Sequence, residues 1–290
     1  MGFLSLQLIN GLTMGMIYGM AALGFTMVFK ALGYLNFAHA DTITIGALLL
    51  FTFAVTMNLP FGFAFIAASV CVLIYGFLTE KIIFGRFKRA HPITFMLVSI
   101  SLSTVVRNVS LLIFGPFHYS VPSPFPAHTF IIAGTTIPMS NVYIFAIALV
   151  VLGILQLFFV KTKFGLSLRL ASENPKTASL MGIKVARTRA ATFAITALLG
   201  GVAGMLIAPL FLVSVELGAS LALKTFISAV IGGLGNLAGA VIGGLIVGVV
   251  ESLSAAYISS AYRDVIVFAI GIITLAFFPG GLLRKIISKH

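Results

Sequence analysis

The chain has 290 residues, of which 60% are hydrophobic and only 8% charged, with a mean hydropathy of +1.18. A soluble domain is nearer one quarter charged, so this composition excludes one and describes an all-α, polytopic helical membrane protein. The formal charge of +12 does not mark a nucleic-acid binder, because the basic residues gather at the ends of apolar runs, as in the cytoplasmic loops of membrane proteins.

Apolar runs of about 20 residues, each long enough to cross a hydrocarbon core of about 30 Å, recur along the chain. They predict about nine membrane segments, with eight and ten as the bounds: 9–29, 41–57, 60–79, 92–114, 141–160, 188–210, 218–235, 237–256 and 262–279. The first run is too long for a signal peptide and lacks a basic leading region, so it reads as a retained helix. The 29 glycines suit close helix packing in lipid. Trp is absent, which leaves Tyr, Phe and basic side chains as interface anchors, and the lone Cys71 excludes an internal disulfide.

Three basic clusters orient these segments. Lys81, Arg86, Lys88 and Arg89 mark one cytoplasmic loop, residues 161–189 a second, and Arg284, Lys285 and Lys289 a cytoplasmic C-terminus. The 161–189 stretch alone holds seven of the 18 basic residues: Lys161, Lys163, Arg169, Lys176, Lys184, Arg187 and Arg189. Residues 115–140 have no Lys or Arg but include Pro116, Pro122, Pro124, Pro126 and Pro138, and read as an external, Pro-stiffened loop. Counting crossings between clusters puts the N-terminus outside. Nine crossings are preferred, because a re-entrant 218–235 would send the basic C-terminus outside.

Charge at membrane depth costs about 2.5–3.5 kcal/mol per group on insertion scales, so each acidic residue asks for a reason. Glu80 and Glu173 belong to the basic loops and read as solvated; Asp264 follows Arg263 and reads as interfacial. Asp41, Glu216 and Glu251 are the unusual ones. Asn36, His39 and Asp41 fall close together, where Asp41 could cap the second helix or meet substrate or a proton. His39 could gate with pH or hold a fixed bond to a backbone carbonyl. Glu216 and Lys224 could pair beside the external mouth or snorkel to the headgroups. Glu251 is placed near the inner end of its helix, facing a pathway or pairing with a basic residue of a cytoplasmic loop. Interruptions at Asn36–Asp41 and at Gly232-Gly-Leu-Gly-Asn236 form a faint echo, of the kind that marks broken helices near a transporter's pathway. The Gly-rich run 231–248 could line a pathway, form an interface or pack within the subunit. No P-loop, H-E-x-x-H or G-x-S-x-G motif occurs, no metal-ligand set stands out, and no catalytic constellation appears.

Several stretches are familiar together: QLINGLTMGMIYGMAALGFTMVF (7–29), LGYLNFAHAD (32–41), ENPKTASLMGIKVAR (173–187), FISAVIGGLGNLAGAVIGGLIVGVVES (226–252) and SAYRDVIVFAIGIITLAFFPGGLL (260–283). In that order they resemble the permease subunits of bacterial branched-chain amino-acid ABC importers, the LivH-type family. The resemblance implies a single transmembrane permease domain over 1–290, in the bacterial inner membrane. It implies pairing with a second permease, a LivM-type chain or another copy, with two cytoplasmic ATPase subunits and a periplasmic or lipid-anchored binding protein. ATP and Mg would be bound by the ATPases, with no cofactor in this chain. It also implies a cytoplasmic coupling helix matching Glu173 to Ile183. The local chemistry suits one: Asn174 and Pro175 start a helix, Ala178, Leu180 and Met181 offer an apolar face, and Gly182 ends it. The chain departs from the family at Ala40-Asp41, where relatives carry Gly then an acid, and at Phe278-Pro279-Gly280-Gly281, where they read R-P-Q-G. Such relatives also carry urea, short amides and other small polar solutes. The candidate pathway residues are Asn36, His39, Asp41, Glu216, Asn236 and Glu251. The competing expectation is an ATP-independent transporter or channel relaying ions through Asp41, His39 and Glu251.

Overall fold

A computed structural model of the chain describes residues 2–87, 91–125, 129–132, 135–278 and 280–281. Lys88, Arg89, Pro126, Pro279, Arg284, Lys285 and Lys289 lie outside the described residues. The helices are α1 (Gly2–Leu32), α2 (Asp41–Phe51), α3 (Phe61–Ile82), α4 (Pro92–Phe114), α5 (Met139–Lys161), α6 (Lys163–Glu173), α7 (Pro175–Leu180), α8 (Val185–Ile207), α9 (Leu217–Gly232), α10 (Leu237–Tyr257) and α11 (Arg263–Phe277). A 3-10 turn, Phe37–His39, precedes α2 and a π turn, Thr52–Thr56, extends it.

Each expected membrane segment finds a helix: α1 to α5, then α8 to α11. Seven helical stretches among the described residues are long and apolar enough to cross a membrane. The 16 residues of α9 span about 24 Å at 1.5 Å per residue, short of the hydrocarbon core, and α11 has 15 residues. The Pro-rich loop is more ordered than expected. It holds an antiparallel hairpin of β1 (Thr129–Ile132) and β2 (Thr135–Pro138), with Thr129 opposite Pro138 and Ile132 opposite Thr135. Thr and Ile are β-branched and favour this extended backbone.

The chain forms two compact units, one of Met1–Thr26, Ser123–Val150 and Leu221–His290, the other of Met27–Pro122 and Val151–Ser220. In the first, α1 lies against α10 through a four-residue repeat of glycine. A Cβ added at Gly11, Gly15 or Gly19 would meet α10 backbone atoms of Val249, Leu245 or Val241 at 2.8, 2.7 and 3.0 Å. Gly244 and Gly248 return the contact from α10, while Gly239 and Gly243 face Gly232 and Ser228 of α9. The Gly-rich run is therefore used in packing inside the chain. Small residues let backbones close where lipid gives no hydrophobic drive.

One ionic cluster ties these helices. Lys224 of α9 places Nζ 2.6 Å from Glu251 Oε1 of α10 and 2.9 Å from Asp264 Oδ1 of α11. Tyr18 of α1 donates its hydroxyl proton to Glu251 Oε2 at 2.7 Å, and Arg263 stands 3.8 Å from Glu251 Oε1. The expected pairing of Lys224 with Glu216 does not form, because Lys224 turns toward α10. Glu251 lies six residues before the end of α10, near the turn into α11. Its partners come from neighbouring helices.

In the second unit α8 runs between α2 and α3. Gly46 of α2 faces Gly201, Gly204 faces the Ile43 carbonyl, and Gly76 of α3 faces Phe193 and Ala197. An aromatic cluster closes one end: Phe84 stacks on Phe95 at 4.6 Å between centroids and tilts against Phe193 at 5.1 Å.

Two substitutions test these contacts. Gly204→Leu, which drives a side chain into the Ile43 backbone, is expected to cost at least about 1–3 kcal/mol, read as a lowered melting temperature of the detergent-purified chain. Lys224→Met leaves Glu251 buried beside too little positive charge and is expected to cost about 3–5 kcal/mol. Adding Glu251→Leu restores most of the loss; a double variant no more stable than Lys224→Met alone contradicts the pairing.

Candidate functional site

The basic stretch between α5 and α8 folds as two helices, α6 and α7, rather than one. Thr162 caps α6 by accepting from the Gly165 N–H at 2.9 Å, and Gly165 is small enough to fold back on Phe158 and Phe159 at the end of α5. Leu168 and Ala171 are the buried side of α6. Glu173 is the last residue of α6, so the expected helix over 173–183 shrinks to the six residues of α7. The break falls at Asn174, whose extended backbone frees its side chain to accept from the N–H groups of Lys176 and Thr177, both at 3.1 Å. Pro175 fills the first position, where no backbone donor is needed.

At the far end Gly182 takes φ +81, the left-handed conformation that only Gly adopts freely. The Gly182 N–H donates to Ser179 O at 3.1 Å and the Ile183 N–H to Ala178 O at 3.0 Å, which closes the last turn. The expected apolar face splits. Ala178 is buried, while Leu180 and Met181 are 89% and 66% exposed: Leu180 points nearly opposite to Ala178, and Met181 is already the cap beyond the last helical residue.

Behind α7 lies a cavity of about 230 Å³, lined among others by Tyr34, Phe84, Phe95, Ala171, Pro175 and Arg189. Two sequence expectations change here. Glu80 is buried, 4% exposed, rather than solvated. Arg189 turns inward from the second basic cluster, its Nε 2.5 Å from Glu80 Oε1. A carboxylate taken out of water needs such a partner. Lys161, Lys163 and Arg187 remain exposed.

The interior polar residues separate into helix caps and charges. Asn36 caps the 3-10 turn by accepting from the Ala38 N–H at 3.2 Å, and Asn236 caps α10 by accepting from the Gly239 N–H at 3.1 Å. The two interruptions thus share one chemistry. Buried His39 accepts the Thr42 hydroxyl at its carbonyl, 2.6 Å away. His39 also lines a cavity of about 20 Å³ with Asn36, Thr42, Tyr75 and Thr196, room for about one water.

Asp41 does not cap α2. Ala40 occupies that position without a side-chain bond, and Asp41 is the first helical residue, 3% exposed. Its carboxylate gains from the helix dipole. Glu216 pairs with Arg107 of α4, Oε2 to Nη1 3.6 Å. Arg107 is not among the candidate residues that the sequence suggests, although a lone Arg deep in the apolar run 92–114 is a legible signal. Asn36, His39, Asp41 and Glu216 belong to the second unit, Asn236 and Glu251 to the first. Among the described residues no group of three His, Cys, Asp or Glu could hold a metal ion.

The chain matches a family model described as branched-chain amino acid transport system / permease component over residues 7–275. It is 32% identical to the high-affinity branched-chain amino acid transport system permease protein LivH of Escherichia coli (strain K12), covering 96% of this chain and 95% of that protein. It is 30% identical to the permease protein BraD of Pseudomonas aeruginosa, over the same shares of the two chains. Among solved structures it is similar to PsaBC from Streptococcus pneumoniae in complex with Fab, with a TM-score of 0.49, 13% identity, and coverage of 95% of this chain and 94% of that one. With its many apolar helices, this multi-pass membrane protein belongs to the family of branched-chain amino acid transport system permease components.

Proposed function

We propose that this chain is the transmembrane permease subunit of an ATP-driven importer that moves branched-chain amino acids, or a closely related small polar solute, into the cytoplasm. The proteins it resembles along nearly its whole length are named as high-affinity branched-chain amino acid permeases. In this reading two ATPase subunits bind ATP and Mg and hydrolyse the nucleotide, a second permease completes the pathway, and a binding protein delivers substrate from outside. The chain itself is not an enzyme and carries no cofactor. It sits in the inner membrane with its N-terminus outside and its C-terminus in the cytoplasm.

The observation that carries the coupling role is α7. It is stopped at both ends, by Asn174 and by Gly182, and it presents Leu180 and Met181 almost bare. Exposed apolar side chains on a rigid, basic-flanked element suit a protein groove better than water. The 230 Å³ cavity behind α7 gives the element room to shift, and the Glu80–Arg189 pair would pass that shift to α3 and α8. The alternative ion relay gains less support, since Glu251 is already committed to Lys224 and Tyr18.

Co-purification and transport test the assignment. Leu180→Glu with Met181→Glu is expected to release the ATPase subunits from the detergent-solubilised complex. Gly182→Arg, strained by about 1–2 kcal/mol in the left-handed conformation, is expected to retain ATP hydrolysis and lose uptake. Wild-type uptake in the Gly182 variant sinks the coupling role, and proton-driven uptake by the chain alone in liposomes sinks the importer reading.

A further inference from the structure

The starts of α2 and α9 meet in the second unit. The Gly218 N–H donates to Thr44 Oγ1 at 2.8 Å, and Gly218 is small enough to rest on the Ala40 carbonyl. Each helix start carries the positive end of a peptide dipole and a carboxylate beside it. Asp41 is in the first turn of α2 and Glu216 immediately precedes α9. Arg107 stands with them, 3.6 Å from Glu216. Exposure falls along the row: the Glu216 side chain is 66% exposed and that of Arg107 39%, while Asp41 is 3% exposed. The row runs from open surface to buried interior.

The row is also incompletely satisfied. Asp41 Oδ2 and Arg107 Nε are buried without a hydrogen-bond partner among the described residues. Elsewhere the buried acids are paired, Glu80 with Arg189 and Glu251 with Lys224. An unpaired buried carboxylate is strongly disfavoured, and so is a guanidinium edge with no acceptor. An anion wanting a donor and a cation wanting an acceptor, where two helix starts meet, complement a molecule with an ammonium and a carboxylate on one carbon.

Resting on the importer reading above, we infer that Asp41, Arg107 and Glu216 form a transit site for zwitterionic α-amino acids. Asp41 takes the ammonium and Arg107 the carboxylate, while Glu216 holds the guanidinium at the open side. Each substrate charge thus meets a fixed charge of opposite sign, while Glu216 answers the rest of the guanidinium.

The test uses the assembled transporter in proteoliposomes with loaded binding protein, recording L-leucine uptake and ATP hydrolysis together. Arg107→Gln and Asp41→Asn are expected to lower leucine moved per ATP by about tenfold or more, the scale of one charged hydrogen bond. ATP hydrolysis stays near wild type. Arg107→Lys, which keeps the charge, retains most of the yield, and Glu216→Gln lowers it less. If Asp41→Asn fails to assemble, the variants at the more exposed Arg107 and Glu216 decide. An unchanged yield in Arg107→Gln and Glu216→Gln overturns the site. So does a parallel loss of uptake and hydrolysis in Arg107→Lys and Arg107→Gln alike, which marks a structural role. If the wild type shows no ATP-driven leucine uptake, the importer reading fails instead. Calorimetry of leucine on the purified chain then decides: binding abolished by Arg107→Gln upholds the site, and no binding to the wild type overturns it.

Discussion

Lipid offers no partner to a polar group, so a charge or an open backbone end within the membrane has to be answered from inside the chain. That constraint organises this protein more than hydrophobicity does, since apolar side chains are as content in lipid as in a core. It explains why Glu251 gathers Lys224, Tyr18 and Arg263 from three helices. It explains why Arg189 leaves the basic surface for Glu80. It also explains why the interruptions before α2 and α10 each carry an Asn that answers the first backbone donors. The glycine contacts belong to the same logic. Where lipid gives no hydrophobic drive, close backbone packing through small residues is what holds the helices together.

The α6–α7 segment is built by more local rules. Its helix ends are closed by side chains and by a left-handed glycine. Its exposed apolar residues, Leu180 and Met181 above all, stand among basic side chains.

The positions of the membrane helices were legible because lipid thickness imposes a length that composition alone reveals. The ends of α7 were legible too, since Asn174, Pro175 and Gly182 act on neighbours within a few residues. What escaped was set by distance along the chain. Glu80 and Arg189 lie far apart in sequence, as do Tyr18 and Glu251, and no local pattern says which acid will meet which base. Lys224 could reach either Glu216 or Glu251; only the facing of α9 decides. Ala178 and Leu180 looked like one face because both are apolar, but two positions along a helix point nearly opposite ways. Arg107 stands alone in its apolar run, and its meaning comes from Asp41 of α2 and from Glu216 just before α9.

The glycine contact between α1 and α10 has a consequence for how the protein is made. Gly11, Gly15 and Gly19 emerge first, while Val241, Leu245 and Val249 emerge more than 200 residues later. At the usual synthesis rate of about 5–20 residues per second, α1 waits roughly ten to fifty seconds for its partner. During that interval it presents a bare small-residue stripe of the kind that draws transmembrane helices together. The stripe stays uncovered by its partner until α10 has been made. Biogenesis of this chain is thus a problem of keeping an adhesive surface unused until α10 has followed α1 into the membrane.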